Sequence, residues 1–181
     1  MGFIPSRLPR IMSGVAPQDD VRYQTVGDFS RGWRAKEKVM AITGGCLCKA
    51  VRYEVDAEPV TVRTCWCRTG QYVSAGSATV NVVFPSDKIR ITGATGEYES
   101  VADSGTRMTR AFCPTCGSPL FTRADARPHL ISVRAGTLDD PELGRPQLTI
   151  WTSAAPSWAC ISPDIPSDAR QPSAAVLAGK A

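Results

Sequence analysis

The sequence predicts a small, mainly β domain of short strands with few helical turns. Runs of β-branched and aromatic residues recur throughout its middle, separated by Gly, Pro, Asp and Ser clusters at a spacing typical of antiparallel sheets. Sustained 3.6-residue periodicity is absent, so only residues 68–74 and 139–143 leave room for short helical turns. Six of the seven cysteines also fall into close pairs, the pattern of a chain that gains folding free energy from bound metal.

The elements follow in order. Residues 1–39 mix charge, Gly, Pro and Ser without periodicity and are expected to be a disordered or non-core tail, with Met40 a candidate natural start. Patterning begins at AITGGCLCKAVRYEV. Residues 50–55 and 60–65 read as strands joined by the turn-prone DAEP, and together as a hairpin. Strands at 78–84, 89–92, 98–102 and 106–112 follow, broken by PSD, GATG and DSG, and strands at 130–134 and 147–152 complete the series. From residue 162 the prolines and the run SAAVLAGKA offer little to bury, and a loose tail is expected there. The expected domain therefore spans 40–161. One domain suits 181 residues.

Charge narrows the function classes. The net charge is +4, but residues 1–39 carry seven Lys/Arg against four Asp/Glu, and the rest carries fourteen against thirteen. That nearly neutral body argues against a nucleic-acid partner. No apolar run is long enough to span a membrane, and the N-terminus lacks the apolar core and small-residue cleavage site of a secretory signal. The start fits the loose M-G-x-x-x-S acylation pattern through Gly2 and Ser6, a weak match that Pro5 counts against. A cytoplasmic setting is expected, where clustered cysteines are metal ligands more often than disulfides.

Three cysteine pairs stand out: Cys46 with Cys48, Cys65 with Cys67, and Cys113 with Cys116. The run Phe112-Cys113-Pro114-Thr115-Cys116-Gly117 is a metal knuckle, whose tight turn aims both sulfurs at one point and whose glycine accepts a left-handed backbone. Redox C-x-x-C chemistry sits instead at a helix start after a βαβ pattern, absent here. A knuckle supplies two of the four ligands tetrahedral zinc requires, so another pair completes the site. Because C-x-C pairs strain against closing as disulfides, both are better read as clamps.

These motifs, in order, resemble the glutathione-dependent formaldehyde-activating enzyme family, whose domain also occurs in centromere protein V. The resemblance rests on Gly44-Gly45-Cys46-Leu47-Cys48-Lys49-Ala50-Val51-Arg52-Tyr53, on Cys65-Trp66-Cys67 and on the knuckle. It continues through VRAGTLDD at 133–140 and IWTSAAPSW at 150–158, covering about residues 43–158. It implies several coiled β-sheets around a structural zinc held by Cys46, Cys48, Cys113 and Cys116. It implies a second, catalytic zinc on a C-x-C-x-x-C run, of which this chain has Cys65 and Cys67 but Gly70 in third place. Trp66 replaces the family's usual histidine.

The implied activity is that of a carbon-sulfur lyase working on S-hydroxymethylglutathione, the adduct of glutathione and formaldehyde. Its partners would be a small thiol such as glutathione and an aldehyde, with Cys65 and Cys67 as catalytic metal clamp. Two thiolates fall short of the three protein ligands that catalytic zinc usually keeps. The alternative is a zinc-stabilised binding module with a degenerate catalytic site; a zinc-ribbon nucleic-acid binder ranks third. His129, the single histidine, reads as a strand-edge residue, and Cys160 as a buried thiol or replacement ligand. Arg52, Arg68, Arg107, Arg110 and Arg134 could meet the carboxylates of glutathione, but solvated strand faces carry arginines routinely and none is assigned a role.

Overall fold

A computed structural model describes residues 41–102 and 105–172. The expected N-terminal tail, Met40 and the acylation motif lie outside the described residues, all of which fall in the compact unit Lys38–Ala181. The fold is mainly β. The described residues form ten strands: β1 (Ile42–Gly45), β2 (Arg52–Val55), β3 (Thr61–Cys65), β4 (Thr79–Pro85), β5 (Ile89–Thr92), β6 (Gly96–Val101), β7 (Arg107–Phe112), β8 (Pro119–Ala124), β9 (Leu130–Arg134) and β10 (Leu148–Ile150). One α-helix, α1 (Arg68–Val73), follows β3, and a short 3₁₀ turn at Pro141–Gly144 occupies the second place left for helix.

The strands form two sheets, one ordered β1-β2-β5 and the other β10-β3-β4-β9-β8-β7-β6. The hairpin expected from residues 50–65 does not form: β2 pairs with β1 and β5, whereas β3 pairs with β4 and β10. Both strands carry core residues, Tyr53 and Val55 on one and Val62 on the other, and they contribute them from different sheets instead of pairing edge to edge. After Val55 the chain leaves its sheet, and the Asp56 N–H donates to the Lys88 carbonyl at 2.9 Å. Pairing among the named strands is antiparallel except that β10 lies parallel to β3. The described part of the expected C-terminal tail is docked there, with Thr149 N–H donating to Pro166 and Asp168 N–H returning to Thr149, each at 2.9 Å.

Strand alternation segregates the two faces of the larger sheet. Val62, Val82, Phe84, Phe121, Ile131 and Val133 point into one buried cluster with Tyr53 and Val55 of the smaller sheet and with Val51 just before β2. Tyr53 and Phe121 meet edge to face, ring centroids 5.4 Å apart, a favoured aromatic geometry. Many of the intervening residues are polar, among them Arg63, Asn81, Thr122, Ser132 and Arg134, whereas Val83 is apolar and buried. Register places Arg63 opposite Asn81 and Asn81 opposite Arg134, Cys65 opposite Thr79, and Arg110 opposite Thr122. A row of polar side chains thus crosses neighbouring strands on the face away from the core.

Candidate functional site

The knuckle forms at the end of β7. The Gly117 N–H donates to the Cys113 carbonyl at 2.9 Å, and Gly117 adopts φ +73°, the left-handed conformation expected of a glycine there. Between β1 and β2 the Cys46–Cys48 loop turns through Lys49, also left-handed at φ +65°. The two loops meet so that the sulfurs of Cys46, Cys48, Cys113 and Cys116 all lie within 4.8 Å of one another, a set that could hold a metal ion. Sulfur separations of 3.5 Å for Cys46–Cys48 and 3.7 Å for Cys48–Cys113 are close to those of a tetrahedral thiolate site, where Zn–S bonds of about 2.3 Å put sulfurs roughly 3.8 Å apart.

Surrounding donors suit thiolates. The Val51 N–H points at Cys46 Sγ at 3.2 Å, and the Ser118 hydroxyl lies 3.2 Å from Cys116 Sγ while accepting from the Leu47 N–H. Hydrogen bonds from the Ser118 side chain and backbone bring the Cys116 thiol down to about 5, so it is ready to ligate as the anion. Such outer contacts fix the orientation of ligands. Purified reduced protein is expected to retain about one chelator-resistant zinc per chain; two equally resistant ions would show that the Cys65–Cys67 pair has found a third ligand.

Cys65 and Cys67 stand elsewhere. Cys65 ends β3 and Cys67 caps α1, its sulfur accepting from the Gly70 N–H at 3.3 Å. Gln71 pins the helix by donating to the Trp66 carbonyl at 2.7 Å and the Ala154 carbonyl at 2.9 Å. The buried Trp66 indole N–H has no partner among the described residues, so the tryptophan supplies bulk where a histidine would supply a ligand. Proximity to Cys67 and burial push the Cys65 thiol upward, as expected when two thiols share a desolvated site.

Both thiols line a cavity of about 170 Å³ on the polar face of the larger sheet. Gly70 lines it too. A Cβ at that position would sit 3.2 Å from Cys67 Sγ and 3.1 Å from both the Cys65 carbonyl and Thr79 Oγ1, so a third cysteine there would stand beside the other two. Among the described residues no third thiol, imidazole or carboxylate lines the cavity, and the donor set does not fit a catalytic zinc. His129 sits exposed in the turn before β9, its carbonyl accepting from Ser86, and Cys160 is exposed and outside the cavity, not buried as expected.

The arginines divide. Arg52 pairs with Asp139 and Arg107 with Glu99 and Asp125, while Arg68 stacks over Tyr72 at 5.4 Å. Arg110 and Arg134, in contrast, line the cavity together with Arg63 and Arg127, which the sequence reading passed over. Arg134 donates to Asn81 Oδ1 and, at 2.8 Å, to Thr122 Oγ1. Trp151 also lines the cavity, held at φ +62°, a strained conformation for a bulky residue and one that clusters at functional sites. The missed signal was alternation: Arg63 and Arg134 share strands with core valines at odd-even offset, which placed them on a common face.

Residues 41–154 match the model of a family described as glutathione-dependent formaldehyde-activating enzyme. Among solved structures, a crystal structure of a Rhodobacter sphaeroides protein is similar at 23% identity and a TM-score of 0.46, covering 57% of this chain and 96% of that one. No curated protein matches.

Proposed function

Because the chain belongs to the glutathione-dependent formaldehyde-activating enzyme family, we propose that its cavity binds glutathione and the adduct S-hydroxymethylglutathione, with Cys65 and Cys67 facing the sulfur. The observation that carries this reading is that both thiols open into one cavity, apart from the four-cysteine cluster. The implied reaction is that of a carbon-sulfur lyase. The carbon–sulfur bond of the adduct breaks, the hydroxyl proton passes to the departing sulfur, and formaldehyde and glutathione are released with no change of oxidation state.

The four-thiolate set would hold a structural zinc, which supplies no chemistry beyond tying the two loops together. Free thiols at all these positions suit a reducing compartment such as the cytoplasm. Gly70 favours a second reading, a zinc-stabilised binding module whose catalytic centre is degenerate, since the third thiolate position is empty of a side chain. NMR exchange spectroscopy on formaldehyde, glutathione and S-hydroxymethylglutathione separates the two. Binding with an exchange rate at the spontaneous level supports the module; acceleration by the native chain, lost in Cys65→Ser, supports the lyase. Absence of glutathione binding overturns both.

A further inference from the structure

Among the described residues, charge in the cavity is unbalanced. Arg52, Arg90, Arg107 and Arg123 each face a carboxylate across a surface ion pair. Arg63, Arg110, Arg127 and Arg134 face none among the described residues, and none of the described residues that line the cavity is Asp or Glu. They fall into two pairs. Arg63 lies within electrostatic reach of Arg127, and Arg134 of Arg110, while Arg63 and Arg134 each also feel both Cys65 and Cys67. Burial, and then repulsion from Arg110, pulls Arg134 down to about 10, and burial followed by Arg127 lowers Arg63. Four desolvated or crowded cations held around two thiols cost folding free energy unless something anionic offsets them.

Hydrogen bonding leaves room for that anion. Asn81 and Thr122 orient the Arg134 guanidinium, yet its Nε stays buried without a partner among the described residues. Gln171, from the segment docked beside β10, lines the same cavity with a buried Nε2 that also lacks one. Guanidinium forks match carboxylates in shape and charge, so an arginine is the residue type for bidentate carboxylate recognition.

We propose that Arg63 with Arg127 and Arg110 with Arg134 are two carboxylate-binding subsites in the cavity that Cys65 and Cys67 line, and that they select a ligand bearing two carboxylates and a sulfur between them. The assignment rests on the glutathione reading for the sulfur, since glutathione carries one carboxylate at each end of the tripeptide and its thiol between them. It goes beyond that reading in making the arginines, and not metal, the source of affinity and specificity. These are specificity-determining residues; none touches the bond that breaks.

Calorimetric titration of the full chain tests this with S-methylglutathione, which keeps both carboxylates and has no free thiol. Binding is expected to weaken at least tenfold in Arg63→Met and in Arg127→Met, to weaken further when both carboxylates are esterified, and to decline with added salt. Relief of repulsion should leave the melting temperature of ligand-free Arg63→Met unchanged or raised. A lowered melting temperature with unchanged affinity per folded molecule would make the arginine structural and overturn the proposal. Equal binding of acid and diester overturns it while the glutathione reading stands. Arginine-dependent binding of glutarate without binding of S-methylglutathione supports the subsites and removes the glutathione reading. Should Arg63→Met fail to fold, Arg127→Met, in the turn before β9, carries the same measurement.

Discussion

Cys113→Ser is expected to abolish cooperative folding or lower the melting temperature by roughly 10 °C or more. Cys113 is fully buried, belongs to the main apolar cluster, and its sulfur lies 3.7 Å from that of Cys48 on the other loop. Structural zinc sites contribute on the order of 10 kcal/mol to folding, comparable to the whole net stability of a domain, about 5–15 kcal/mol. Serine removes one ligand and leaves a buried hydroxyl in its place, so loss of metal and an unsatisfied polar group act together. Cys160→Ser, at an exposed site, should change stability by less than about 0.5 kcal/mol and serves as the control. A soluble Cys113→Ser protein that melts cooperatively at the native temperature would show that the cluster does not stabilise the fold.

Gly70→Cys is expected to raise zinc content from about one towards two per chain and to accelerate formaldehyde–glutathione exchange by at least about tenfold, within the range a positioned metal commonly supplies. The new Cβ would meet Cys67 Sγ at 3.2 Å, which brings a third sulfur to the existing pair. Neighbours must yield by a few tenths of an ångström, Thr79 Oγ1 among them at 3.1 Å, and the backbone N–H that now points at Cys67 is retained. Three thiolates with one open position is the arrangement in which zinc binds a substrate thiol. Zinc uptake without faster exchange would favour the binding module. A native chain equal to the variant in both would mean that a ligand outside the described cavity completes the second site.

Much of this architecture was legible in the sequence, and the failures have physical causes. Short β-branched runs marked eight of the strands because local pattern and burial agree there. β1 was not marked because ITGG carries two glycines, and it exists through its pairing with β2. β8 was missed because Pro119 opens it directly after the knuckle, where proline costs no ladder hydrogen bond. The DAEP segment looked like a tight turn, yet it carries the chain from one sheet to the other, a choice made by the shared core. Cysteine spacing revealed the four-thiolate set once family order was considered. Arg110 and Arg134 were weighed against glutathione carboxylates but left without a role, and Arg63 and Arg127 were passed over, because a buried arginine and a solvated one are identical in sequence. Only the register Arg63–Asn81–Arg134 distinguishes them.

The parallel pairing of β10 with β3 has a consequence for biosynthesis. The knuckle and its partner loop are both made once residue 117 has been added, so the four-cysteine cluster can close while the strands from β8 onward are still to be made. The cavity cannot form then, because Arg127, Arg134, Ile150, Trp151 and Gln171 all come later, and Gln171 near the end. The strand beside Cys65 arrives after a separation of more than eighty residues, a non-local contact of the kind that folds slowly. A chain truncated by a premature stop after β8 would therefore be expected to keep metal yet lack the ligand site. Quality control that monitors metal loading would pass it as finished.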